Sequence, residues 1–291
     1  MFGSRIARAF ATFAVTSLVL TIATAGIARA DSEDHLGIEA FHQLQGRELH
    51  APGAGNPFKQ PGNLIDHGGP VIPNANLYAI WWGAPSGFAS DANAGLTDLL
   101  TNFGSSQYLQ VVSQYMRGAS LSTHYVRSFT DTSAPTSKPS TSSLQAEVQK
   151  VLDANGATPD PNGVYFVFTT NFPKGTNYCA WHSGATVHGT AIAQAYMPNT
   201  SGIAGCDPGN DYNANTYSQG TRSVANVTAH ELMEAITDKT PGGTTTAWTD
   251  NQGSEVSDKC AWKFANKVQV GSTYWQLQEN WSNAVSGCVQ Q

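Results

Sequence analysis

The chain has 291 residues, 15 Lys and Arg against 21 Asp and Glu for a formal net charge of −6, and 40% hydrophobic but only 12% charged side chains. The acidic balance argues against nucleic acid or anionic lipid as the main partner. The length is enough to bury a large core in one or two domains.

At the start, Arg5 and Arg8 precede an apolar stretch from about Ala9 to Ala25, and Ala28-Arg29-Ala30 comes just before Asp31. A charged, an apolar and a small-residue segment in that order form the pattern of a cleaved signal peptide over residues 1–30. Losing Arg5, Arg8 and Arg29 with it moves the formal charge from −6 to −9. No later stretch approaches the ~20 uninterrupted apolar residues of a membrane helix. The expected product is therefore secreted, extracellular, free of the membrane and monomeric.

From Asp31 the chain is rich in Gly, Pro, His and Asn without periodicity, which predicts an extended or partly disordered N-terminal arm over 31–65. His67-Gly68-Gly69-Pro70 closes it. Leu77–Trp82 is a short apolar, aromatic run ended by Gly83 and Pro85, a buried strand. Leu96, Leu99, Leu100 and Phe103, then Leu109, Val112 and Tyr115, are spaced as two helical pieces broken near Gly104. Residues 131–143 form a Ser/Thr/Pro-rich loop. Ser142 followed by Gln145 fits a capping box for a helix that buries Leu144, Val148, Val151 and Leu152 and stops at Asn155-Gly156. Val164–Thr169 is a second apolar strand, and a loop-rich stretch runs from there to about Gly220. After a long helix, Lys267–Val270 and Tyr274–Leu277 read as a hairpin turning at Gly271-Ser272. With no repeat and no linker, residues 66–291 are expected to form a single α+β domain, a mixed sheet packed with helices.

Cys179, Cys206, Cys260 and Cys288 all follow the leader, in a compartment where disulfides persist. Three pairings are possible; the sequential one, Cys179–Cys206 and Cys260–Cys288, closes the shorter loops. Thiolate-bound zinc competes, but no CxxC pair supports it.

The long helix carries His230-Glu231-Leu232-Met233-Glu234-Ala235-Ile236-Thr237-Asp238. At about 100° per residue, His230, Glu234 and Asp238 share an arc of roughly 80°. His and carboxylate at i and i+4 can grip one divalent ion, and Glu231 can take the proton of an attacking water. The spacing is that of a zinc-protease HExxH helix with glutamate in place of the second histidine, a change that shifts preference toward harder ions such as calcium. Downstream, Glu255 and Asp258 supply acids for a third ligand, while Asp238 and Asp250 fall in supporting positions. An ordinary amphipathic surface helix with one acidic face gives the same pattern. His182 and His188 could add a ligand or a general base, although two polar loop histidines are the simpler reading. Cys206–Asp211 is oxygen-rich like a calcium loop, but a turn explains it as well. Among the tryptophans, Trp81, Trp82 and Trp275 read as core, leaving Trp181, Trp248 and Trp281 for a sugar-stacking face.

Taken in order, His67–Pro70, the Leu77–Trp82 strand, Tyr178-Cys179-Ala180-Trp181-His182-Ser183, the Ala229–Asp238 helix and the Cys260 segment resemble the EXORDIUM-like, phosphate-induced protein family, especially its microbial members. The likeness covers roughly residues 65–288. It implies a secreted or cell-wall-associated protein, and places that family's acidic helix on His230, Glu231, Glu234 and Asp238 and its downstream acids on Glu255 and Asp258. It implies no particular reaction. The sequence thus leads to a metal-dependent hydrolase of peptidase type, with zinc as cofactor and an extracellular peptide or cell-wall polymer as substrate. The alternative is a non-catalytic extracellular protein that binds calcium or a glycan.

Overall fold

The computed structural model describes residues 62–176, 178–209, 216–241 and 245–291. The leader over 1–30 lies outside the described residues, as does the arm except for its last four positions. The division at residue 65 falls inside a two-residue strand, β1 (Ile65–Asp66), which pairs with β7 (Trp248–Thr249).

The fold is α+β. Five strands form a mixed sheet: β2 (Asn74–Trp82), β3 (Ser122–Asp131), β4 (Gly163–Thr169), β5 (Trp181–Val187) and β6 (Thr190–Met197), in the spatial order β3-β2-β4-β6-β5. All neighbours are parallel except β5 and β6, which form an antiparallel hairpin at one edge. Central β4 is buried at every position, as expected of a strand covered on both faces.

Among the described residues, four α-helices accompany the sheet: α1 (Ala92–Asn102), α2 (Gln107–Gln110), α3 (Thr141–Ala154) and α4 (Gln219–Thr237). The break between the first two is a 3-10 turn at Phe103–Ser105. α3 is capped two residues earlier than expected, because Ser140 accepts from Ser143 N and Ser143 bonds back. Its far end is where the sequence puts it, with Asn155 as cap and Gly156 at a φ of +58°.

The polar segment 122–131, assigned no element above, is strand β3. One expectation fails: the stretch after Thr169, read as loop-rich, contains β5 and β6. These two are joined by His188-Gly189, both at positive φ, the backbone of a tight hairpin turn. Side chains alternate across β5. Ser183 faces α3 through Gln194, whose amide donates to Ser183 Oγ and to Thr141 O. His182, one residue earlier, faces α4.

α4 begins where Ser218 accepts from Thr221 N, and it packs closely on α1: a Cβ on Gly95 would lie 2.5 Å from Thr221 Cγ2. Every residue from Thr221 to Thr237 is buried, so α4 is a core helix with no solvent face. This overturns the amphipathic surface-helix reading. One segment pins its end. Lys239 N donates to Pro70 O and Ile72 N to Ile236 O, so His67–Ile72 straps the helix terminus. Gly69 is required there, because a Cβ would lie 1.9 Å from Thr245 O.

Both disulfides pair as the short-loop argument predicts, Cys179–Cys206 and Cys260–Cys288. The C-terminal hairpin is present as β8 (Val268–Val270) and β9 (Thr273–Trp275), followed by β10 (Asn280–Ser282) paired with β11 (Gly287–Val289). No helix among the described residues is long and apolar enough to cross a membrane.

Candidate metal centre

The second half of α4 carries His230, Glu231 and Glu234 into the core, where they meet His182 from β5 and Glu255 and Asp258 from the segment that ends in a 3-10 turn at Asp258–Cys260. One turn of helix separates His230 from Glu234, which brings His230 Nε2 within 3.2 Å of Glu234 Oε1. Asp258 Oδ1 lies 3.5 Å from the same nitrogen. His182 Nδ1 lies 3.2 Å from Glu231 Oε2 and 3.8 Å from Glu234 Oε2, and its Nε2 is 3.7 Å from Glu255 Oε1. Two groups of three potential ligands result, His182 with Glu234 and Glu255, and His230 with Glu234 and Asp258.

The surrounding main chain fixes these side chains. His182 Nε2–H donates to the carbonyl of Asp238 at 3.0 Å, which turns Nδ1 toward the carboxylates. Asp258 N donates to Glu234 Oε1, and Ser257 Oγ donates to the His230 carbonyl. Each disulfide anchors a donor segment, Cys179 just before His182 and Cys260 just after Asp258.

Burial makes the cluster electrostatically demanding. His182, His230, Glu231, Glu234, Glu255 and Asp258 are all buried, the most open of them, Asp258, being 7% exposed. Glu231 Oε1, Glu234 Oε2, Glu255 Oε1 and Asp258 Oδ1 accept no hydrogen bond. Isolated buried charges cost several kcal/mol each, so the protons redistribute. Burial, reinforced by Glu234 and its acidic neighbours, lifts Glu255 well above the carboxylate range, and burial with the Glu234 charge pushes Asp258 up to about 8. Glu231 rises for the same reason, burial. Glu234 goes the other way: burial opposes its ionisation, but the charge of His230 outweighs it. Burial also opposes protonation of both histidines, yet contact with Glu231 brings His182 to about 8, and Glu234 and Asp258 hold His230 well above its usual value. The cluster is a polyanion that must carry protons or a cation.

Other residues singled out by the sequence lie elsewhere. Asp238 does not continue the helix face, because the helix ends at Thr237 and Asp238 is extended at φ −144°. Its carboxylate accepts from Thr246 Oγ1 and Thr240 N, and it reaches the cluster through its carbonyl, orienting His182 rather than His230. Asp250 is bound by Lys259 Nζ and by the amides of Gln252 and Ser254, a separate ion pair. His188 is exposed at the β5–β6 turn, paired with Asp153, so the loop-histidine reading fits it. That reading fails for His182, which is a buried strand residue. The hairpin signal around His188-Gly189 could have placed His182 on a strand. Asn210 and Asp211 of the proposed calcium loop lie outside the described residues, and Asp207 accepts from Gly202 N and Gly209 N as a turn does. Trp181 is core, Trp248 packs on Tyr115, and Trp281 is buried beneath Lys259, so the three form no open sugar platform.

Compared with protein-family models and with curated proteins, the chain matches none. Among solved structures it is similar to the crystal structure of metalloproteinase-II from Bacteroides fragilis, at 11% identity and a TM-score of 0.28, over 62% of this chain and 53% of that one. The chain thus spans about half the length of that neighbour, and a likeness of this size assigns neither fold nor activity.

Proposed function

We propose that this protein is a secreted, metal-dependent hydrolase of peptidase type, with α4 as a zincin-like helix and an extracellular peptide or cell-wall polymer as substrate. The observation that carries this reading is the set of four buried carboxylate oxygens without hydrogen bonds, gathered around two imidazoles. Such a donor set suits a divalent cation, since imidazole and carboxylate both ligate zinc. His230, Glu234 and Asp258 would hold it, with His182 and Glu255 adjoining. Zinc bound there supplies Lewis-acid assistance to hydrolysis. Glu231 is the proton acceptor, because its Oε1 is unengaged. Export is supported by the leader pattern and the two disulfides, and membership of the EXORDIUM-like family by the ordered motifs.

One observation favours a second reading. The donors are closed off from solvent, as in a structural metal site, and the oxygen-rich set also suits calcium. A peptide-library cleavage assay on the zinc-loaded chain and its Glu231→Gln variant separates the two. The hydrolase reading predicts a loss of about 100-fold or more in rate with metal content unchanged. A wild-type protein that keeps its metal and cleaves nothing supports the structural role.

A further inference from the structure

The two groups of potential ligands share one residue, Glu234. Its oxygens face different imidazoles: Oε1 lies 3.2 Å from His230 Nε2, and Oε2 lies 3.8 Å from His182 Nδ1. We propose that the cluster binds two divalent cations bridged by the Glu234 carboxylate, one shared with His182 and Glu255 and the other with His230 and Asp258. This rests on the metal-binding reading above and sharpens it.

Charge favours the pair. Once metal binding has displaced their protons, Glu231, Glu234, Glu255 and Asp258 bring four negative charges, and the imidazoles ligate in their neutral form. One divalent cation leaves two negative charges buried; two cations leave none. Buried net charge is what the protein interior tolerates least. Geometry agrees, because each half has its own unengaged acceptor, Glu255 Oε1 beside His182 and Asp258 Oδ1 beside His230. A cation in either half alone would leave the acceptor of the other half unsatisfied. Paired ions in hydrolases stand about 3.5–4 Å apart, a distance that one carboxylate spans. Each half also has independent support from the main chain. The Asp238 carbonyl holds His182, whereas the Asp258 amide holds the Glu234 oxygen that faces His230.

The test is metal stoichiometry on the purified chain, stripped with chelator and titrated with zinc under native mass spectrometry. Two ions per wild-type chain are expected, one each for Glu255→Gln and Asp258→Asn, and affinity weakened at least about tenfold at both positions for Glu234→Gln. Manganese-loaded wild type should give the electron paramagnetic resonance spectrum of an exchange-coupled pair. Saturation at one ion, or a spectrum of isolated manganese, overturns the pair and leaves the single-metal reading standing. No bound ion overturns both. If the variants do not fold, the wild-type stoichiometry and spectrum still decide.

Discussion

Two sets of charged groups lie side by side in the core, and they solve the problem of burial differently. Asp250 and Lys259 form a self-contained pair: Lys259 Nζ lies 2.7 Å from Asp250 Oδ2, the other oxygen accepts from the amides of Gln252 and Ser254, and the ammonium sits over the Trp281 ring. The acidic cluster beneath α4 has four carboxylates, two imidazoles and four acceptor oxygens without hydrogen bonds. The first site contains its own cation; the second holds four carboxylates against two imidazoles, which is the imbalance behind the proposed external cation. Burial alone therefore does not set the cluster apart; the gathering of four unmatched carboxylate oxygens around two imidazoles does.

Removing the resident cation is expected to have the largest effect. Lys259→Met strands Asp250 and should cost about 3–5 kcal/mol, measured by urea denaturation. An equal loss on replacing Glu255 by Gln in metal-free protein would erase the contrast, since burial already disfavours the charge of Glu255 and a neutral amide removes the cost of suppressing it, so that change is expected to stabilise. A smaller effect comes from the external cation. With zinc at a hundred times its dissociation constant, binding contributes about 2.7 kcal/mol, and the melting temperature should fall by the corresponding amount when chelator is added.

A third signal is the pH dependence of the stripped protein, and its sign is definite. Glu255 and Asp258 have raised folded-state values, Asp258 at about 8. They contribute stability below the ordinary carboxylate range that is lost as pH rises toward 8. His182, raised to about 8, acts in the same direction, stabilising below its unfolded value and losing that contribution as pH rises through about 8. The metal-free protein should therefore weaken between about pH 4 and 8. Zinc binding, which displaces protons, should strengthen over the same range. A melting-temperature series with and without zinc should thus diverge as pH rises, and parallel curves would contradict the assignment.

Legibility in the sequence differed between regions for physical reasons. The i, i+4 pair His230 and Glu234 lies on one helix, so local periodicity exposed it, and short loops pointed to both disulfides. β4 was visible as an unbroken apolar run. β3 was not, because it is an edge strand with a mostly exposed, polar face. β5 was missed for its Ser183-Gly184 and its polar tip, although His188-Gly189 marks the turn. With β5 went the role of His182, whose partner Glu231 is 49 positions away and meets it only through the pairing of β5 with β6 beneath α4. Asp238 misled in the opposite sense. Helical spacing placed it on the ligand face, but the strap from His67 to Ile72 ends the helix first. Burial was the quantity least readable from the sequence: Leu232, Met233 and Ile236 pack as expected, but the polar side of α4 is buried too.

We propose that a divalent metal sits among His182, His230, Glu234, Glu255 and Asp258. The most direct measurement is a crystal structure of the zinc-soaked protein with anomalous scattering recorded at the zinc edge. An anomalous peak about 2.0–2.2 Å from His230 Nε2 and a Glu234 oxygen is the predicted result. No peak at the cluster, with its carboxylate oxygens hydrogen-bonded to one another or to ordered water, would contradict it.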